Sequence, residues 1–209
     1  EGGCFIDVHG TGRADLQTHI LPDYVVNGAR TFVPGHGLTI NTCHMRPTSR
    51  GEVTLRSARL EDSPLIDANF HDTEFDRDMS AKAVRQVREI IAQPAIAQHI
   101  KRERYPSIDA TTPEQILEYA REFASVDYHP VGTCKMGTDD MAVVDPELKI
   151  HGLEGLRVCD NSIMPYLNSG NTNAPAIMIG EKAAAMILGE PPLYQEVPKR
   201  TYYPAKKMA

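Results

Sequence analysis

Two short segments hold side chains that could do chemistry. His129 opens the stretch His129-Pro130-Val131-Gly132-Thr133-Cys134-Lys135-Met136-Gly137, which has neither a helical nor a strand period. One histidine among eight is more often structural or solvated than functional. The neighbours shift that balance: Pro130 fixes the backbone after the ring, and Gly132 and Gly137 let main chain approach a flat ligand or make a tight turn. A neutral imidazole held rigidly at a cavity wall is what a general base requires. The second segment, Asn168-Ser169-Gly170-Asn171-Thr172-Asn173-Ala174-Pro175, runs into a helix. Thr172 or Asn173 suits the cap and Pro175 the first turn, which accounts for part of the cluster but not for every Asn. A helix N-terminus also offers unpaired N–H groups and partial positive charge to an anion, and an anionic reduced cofactor is a suitable guest. A weaker candidate is Asp160-Asn161-Ser162, at the end of a short strand over residues 156–160, where α/β sheets bind ligands. Its plain alternative is an Asx turn.

Other chemistries find less support. The sequence has no Gly-x-Ser-x-Gly elbow for a serine hydrolase and no His-Glu-x-x-His spacing for a metal. Closeness of Cys134 to His129 along the chain is not spatial pairing, so no cysteine nucleophile follows from it. With no Gly-x-Gly-x-x-Gly and no P-loop, nothing in the chain cradles a dinucleotide pyrophosphate in the usual way.

The elements that must position these residues are marked by periodicity and punctuation. Residues 16–21 alternate apolar and polar before Pro22, and residues 38–45 and 53–57 do the same across a turn-like Arg46-Pro47-Thr48-Ser49-Arg50-Gly51, which predicts an antiparallel hairpin. Phe75, Met79, Ala83, Val87, Ile90 and Ile91 recur at helical spacing ahead of Pro94, predicting a helix over 75–92. Thr112, Pro113 and Gln115 form a capping-box signature for a second helix ending near 124. An alanine-rich helix over 174–188 stops at Gly189 and Pro191. The expected fold class is α+β: an antiparallel or mixed sheet over residues 1–126 with helices on one face, then residues 127–190 carrying the site, then a basic, frayed tail over 191–209.

Composition sets the outer bounds. The 209 residues are 41% hydrophobic and 24% charged, the profile of a globular protein. With 22 Lys and Arg against 28 Asp and Glu, the net charge is -6, and no basic face is indicated that would hold nucleic acid. No apolar run reaches the ~20 residues of a membrane span, so membrane association is not indicated. Cys4, Cys43, Cys134 and Cys159 are widely spaced, which reads as free thiols in a reducing, cytoplasmic setting. The chain opens at Glu1 in a stretch that reads as the middle of something, and a piece of a longer protein is expected.

Taken in order, residues 129–137, Val144-Asp145-Pro146, residues 155–165 and Ser169-Gly170-Asn171-Thr172-Asn173-Ala174-Pro175 closely resemble the C-terminal signature of the glucose-methanol-choline (GMC) oxidoreductases. Arg46 to Leu55 is similar to the family's substrate-domain hairpin, so the resemblance covers nearly all of residues 10–190, and within the family the choline dehydrogenase-like branch is the nearest match. The resemblance implies FAD-dependent oxidation of a small alcohol to a carbonyl, with hydride passing to flavin N5. It implies a substrate-binding domain plus the last strand and helix of a Rossmann-like FAD domain. The partner so implied is the N-terminal FAD-binding half of the same protein, which carries the Gly-rich pyrophosphate site.

Carried over residue by residue, the resemblance makes His129 the base for the hydroxyl proton. It puts Asn171 at the second active-site position, which is His or Asn among members; as Asn it hydrogen-bonds the substrate oxygen and cannot act as a base. Asp160, Asn161, Asn173 and Ala174 match positions that contact FAD, partly through backbone amides, and His19 lines the substrate cavity. Choline itself calls for aromatic faces around its ammonium, which a chain without Trp does not favour. A reading from a different class is a flavin-free binding or scaffold module in which the motif residues are inherited packing.

Overall fold

The computed structural model describes residues 2–26 and 31–191, so the expected tail lies outside the described residues from 192 onward. The chain is α+β. In order come β1 (Gly2–Ile6), β2 (Leu16–Leu21), a short ribbon of β3 (Val25–Val26) with β4 (Thr31–Phe32), and β5 (Thr39–His44). β1, β2 and β5 form an antiparallel sheet with β2 in the centre. β2 matches its expected range, and its alternation has a physical use. Leu16 and Thr18 are buried on one face while Gln17 and His19 stay half-buried on the other. The buried Thr18 hydroxyl is satisfied by the Cys4 amide at 2.9 Å.

The hairpin expected over residues 38–57 does not form. β5 pairs with β2, and β6 (Glu52–Thr54) pairs instead with β7 (Leu65–Asp67). The connection reads as a turn by composition but is held away by the backbone carbonyls of Ala14 and Asp15 and by the buried carboxylates of Asp15, which takes Arg46 Nη2, and Asp76. Met45 N donates to Asp15 O at 2.9 Å and Arg46 Nη1 to Ala14 O at 2.9 Å. The amides of Thr48 and Ser49 donate to the Asp76 carboxylate at 2.9 and 2.7 Å. Gly51 then runs so close to the next strand that a Cβ on it would lie 2.1 Å from Asp67 O, a passage open only to glycine.

Asp76 sits in the first turn of α1 (Glu74–Ile91), whose N-cap Thr73 accepts from Asp76 N, and Met79 and Ala83 of the same helix pack on Leu16 of β2. After a single turn, α2 (Pro94–Ala97), comes α3 (Pro113–Phe123), which starts with the expected Thr112 and Gln115 capping box. α3 lies against α1 as a second layer rather than on the sheet itself. Arg88 of α1 ties down the intervening loop through Glu103 at 2.8 Å and Ala110 O at 2.8 Å.

A second core forms beyond residue 126. Val144, Leu148 and Ile163 pack against Ile179 and Ala183 of α4 (Asn173–Leu188), which ends as expected at a left-handed Gly189, φ +69°. The strand expected over 156–160 is reduced to one bridge, Arg157 to Lys149, followed by a 3₁₀ turn at Asn161–Ile163. Asp160 ends the extended run: its carboxylate takes the Ser162 amide at 2.7 Å, an Asx turn that caps the 3₁₀ turn. On α4, Ile177 and Leu188 are 61% and 70% exposed, so the helix is apolar on more sides than this chain covers. Among the described residues no helix is long and apolar enough to cross a membrane.

Asp76 makes the fold sensitive to acid. Burial alone would raise its pKa, but hydrogen bonds from Ser49 and Thr48 outweigh that and hold it below the usual carboxylate value. A depressed folded pKa means stability that is present above the ordinary carboxylate range and lost as pH falls through the lowered folded value. Asp76→Asn is expected to cost ~1–3 kcal/mol in denaturant unfolding at neutral pH and to flatten the decline of stability as the pH falls below about 5. Unchanged stability and an unchanged acid slope would contradict this role.

Candidate active site

β2, the Asp127–His129 corner and the N-terminus of α4 meet on the face of the sheet opposite α1. Tyr128 adopts a left-handed φ of +60° and kinks the chain between Asp127 and His129. His129 is half-buried. Its Nδ1 lies 2.9 Å from Thr172 Oγ1, and the Thr172 amide donates to the same nitrogen at 3.3 Å. Thr172 is the N-cap of α4 by position, but its hydroxyl makes no cap bond. The expected cap is therefore replaced by a hold on the imidazole.

Asn171 is joined to the site from the sheet side. Gln17 Nε2 donates to Asn171 Oδ1 at 3.1 Å and lies 2.9 Å from His19 Nε2. Because an amide nitrogen only donates, His19 Nε2 is the acceptor and the neutral ring carries its proton on Nδ1. Occupation of Asn171 Oδ1 leaves Asn171 Nδ2 as the group free to donate. A line of contacts thus runs from His19 through Gln17 to Asn171, next to Thr172 and His129. Gln17 was not among the candidates read from the sequence, yet the signal was there: if His19 faces the cavity, its i−2 neighbour on a strand faces it too.

The remaining predicted residues surround the α4 terminus. Asn161 Nδ2 donates to Thr172 O at 3.3 Å, and its Oδ1 is buried without a partner. Asn173 and Ala174 are exposed and precede the first helical bond, from Ala176 N to Thr172 O, so their amides are available to a ligand. A buried orphan acceptor beside free first-turn amides is a cradle for a group with both donors and acceptors, and a flavin ring edge fits that description. Asp160 is exposed, with its carboxylate engaged in the Asx turn. An apolar cavity of about 350 Å³ lies under Met136, Leu148, Met164 and Met178. It includes neither His129 nor Asn171 and belongs to the packing of the second core.

Cys43 and Asp127 also reach this face and were missed by sequence reasoning, since no spacing connects them. Cys43 sits opposite Gln17 in the sheet register. Burial, joined by a hydrogen bond to Asp127 and its charge, pushes the Cys43 thiol up to about 12, so it stays protonated.

The bond between Thr172 and His129 can be isolated in a double-mutant cycle. Thr172→Val and His129→Ala, measured singly and together by denaturant unfolding, are expected to show a coupling of ~0.5–1.5 kcal/mol. Strictly additive effects would contradict the contact.

Comparison with known proteins gives a consistent assignment. The family model described as GMC oxidoreductase matches residues 47–180. The chain is 44% identical over 176 residues to an alcohol dehydrogenase [acceptor] of Pseudomonas putida, covering 84% of this chain and 32% of that protein. It is 45% identical over 194 residues to an oxygen-dependent choline dehydrogenase of Cronobacter sakazakii, covering 92% of this chain and 35% of that protein. The chain spans about a third of the length of the curated relatives it matches. Among solved structures, pyridoxine 4-oxidase from Mesorbium loti superposes with a TM-score of 0.80 at 26% identity, over 90% of this chain and 38% of that one. A formate oxidase from Aspergillus oryzae gives a TM-score of 0.77 at 26% identity, over 86% of this chain and 32% of that one. The matched region takes in the His129 corner and the start of α4, and the chain belongs to the GMC oxidoreductase family.

Proposed function

We propose that this chain supplies the substrate side of the active site of an FAD-dependent enzyme that oxidises a primary or secondary alcohol to the carbonyl. The observation that carries this reading is the meeting of His129 with Thr172, 43 positions apart, beside an Asn171 amide fixed from β2 by Gln17. The substrate hydroxyl sits between the His129 ring and Asn171 Nδ2. Asn171 orients the oxygen, and His129 Nε2 takes its proton; this role needs the ring proton on Nδ1, donated to Thr172 Oγ1 in place of the bond from the Thr172 amide. Asn161, Asn173 and the Ala174 amide hold FAD, with Asp160 nearby, and FAD when bound supplies the hydride acceptor. The positive end of α4 favours negative charge developing at its N-terminus. His19 lines the cavity, positioned by Gln17.

The division proposed is a substrate domain over residues 1–126 and a return segment over 127–190 that joins the FAD-binding half of the same protein. The two separate cores and the uncovered apolar sides of α4 support it. The four cysteines, all free, suit a cytoplasmic setting.

One observation favours a second role for His129. The Thr172 amide at 3.3 Å from Nδ1 can only donate, and an unprotonated Nδ1 puts the ring proton on Nε2. In that tautomer the ring donates to a developing alkoxide instead of removing a proton. Variants of the FAD-loaded enzyme separate the two roles. His129→Ala is expected to lower kcat/KM by ~10²–10⁴ with flavin absorbance retained. Under the base reading His129→Gln is as poor as His129→Ala and the pH dependence of kcat/KM is lost. Under the donor reading the glutamine amide restores at least ~10-fold over alanine. Near-normal turnover of both variants across pH would make His129 structural and overturn the proposal.

A further inference from the structure

Behind the His129 and Asn171 pair, three side chains from three separate segments converge: His19 of β2, Cys43 of β5 and Asp127 of the corner before His129. One ligand atom from each lies within 4.8 Å of the others. The sheet fixes two of them. Gln17 pairs with Cys43 and His19 with Asn41, so His19 and Cys43 are diagonal neighbours on one face. Both are half-buried, while Asp127 is exposed and closes the group from the solvent side. Imidazole nitrogen, sulfur and carboxylate oxygen form a donor set suited to zinc. Magnesium and calcium prefer oxygen ligands throughout, and a single carboxylate does not serve them. Three protein ligands leave the fourth tetrahedral position open to the cavity.

We propose that His19, Cys43 and Asp127 bind a zinc ion, and that its binding inhibits turnover by loosening the hold of Gln17 on Asn171. On binding, the Cys43 thiol gives its proton to solvent and coordinates as thiolate, which together with the Asp127 carboxylate neutralises the ion. Coupling to the active site follows from the His19 tautomer. If zinc takes Nε2, it displaces the Gln17 amide directly. If zinc takes Nδ1, the ring proton moves to Nε2 and confronts the Gln17 NH₂, which must turn its carbonyl to the ring. In the second case Gln17 Nε2 turns off its bond to Asn171 Oδ1; in the first Gln17 loses the His19 contact that holds its amide against Asn171, and in both the support that fixes the Asn171 amide is weakened.

The inhibitory half rests on the function proposed above; the binding half does not. The test uses the FAD-loaded enzyme containing this chain, stripped of metal with a chelator and titrated with Co²⁺. One equivalent is expected to produce a thiolate-to-cobalt charge-transfer band, which Zn²⁺ bleaches. Cys43→Ala should abolish the band, and Asp127→Asn should weaken Co²⁺ affinity at least ~10-fold with the flavin spectrum unchanged. The Zn²⁺ concentration for half-inhibition should rise by a similar factor in both variants. A missing band, or one equally strong in Cys43→Ala, would overturn the site. A normal band with turnover unaffected by Zn²⁺ would overturn the coupling through Gln17. Since the band needs no turnover, it distinguishes failure of this site from failure of the alcohol oxidation reading.

Discussion

A β-strand has two faces, and the arrangement described here depends on β2 using both. Leu16 and Thr18 face α1 and are each only 1% exposed, which locks the strand's register. A shift by one residue would bury Gln17 and His19 and expose Leu16, so the packing on Met79 and Ala83 also decides which polar groups reach the site. The hydrophobic effect on one side of the strand thereby aims a hydrogen-bonding amide on the other. Gln17 then reaches a residue 154 positions away, Asn171.

The second constraint is the start of α4. A helix N-terminus normally spends its capping hydroxyl on its own amides, worth about 1 kcal/mol. Thr172 instead turns its hydroxyl to His129, leaving the first-turn amides free. That local sacrifice is typical of places where function overrides local preference. The second core offsets this: Ile179 and Ala183 anchor α4 on Val144, Leu148 and Ile163, so the helix holds its position without a side-chain cap.

Much of this was legible in the sequence, and the failures have identifiable causes. Local signals read well: the alternation of residues 16–21, the Thr112 capping box and the Gly189 stop are recorded in neighbouring residues and appear as read. Non-local pairing did not. Composition marks residues 46–51 as a turn, but their path is set by Asp15 and Asp76, and no local pattern shows that Asp76 lies beneath Thr48 and Ser49. The expected strand at 156–160 likewise finds only one bridge partner, Lys149, and Asp160 turns the chain at its end. In the site, His129 and Asn171 were marked by their motifs, and His19 by resemblance. Cys43 and Asp127 emerge only once β5 is laid beside β2 and Tyr128 turns the chain.

The central claim is that His129 and Asn171 form one binding site for an alcohol oxygen, with Asn171 presented by Gln17. The most direct measurement is a crystal structure of the FAD-loaded enzyme with an unreactive alcohol analogue. The account predicts the analogue's oxygen within hydrogen-bond reach, about 3 Å, of both His129 Nε2 and Asn171 Nδ2, with Gln17 still donating to Asn171 Oδ1. An oxygen bound away from both groups, or an Asn171 amide turned to donate toward Gln17, would contradict it.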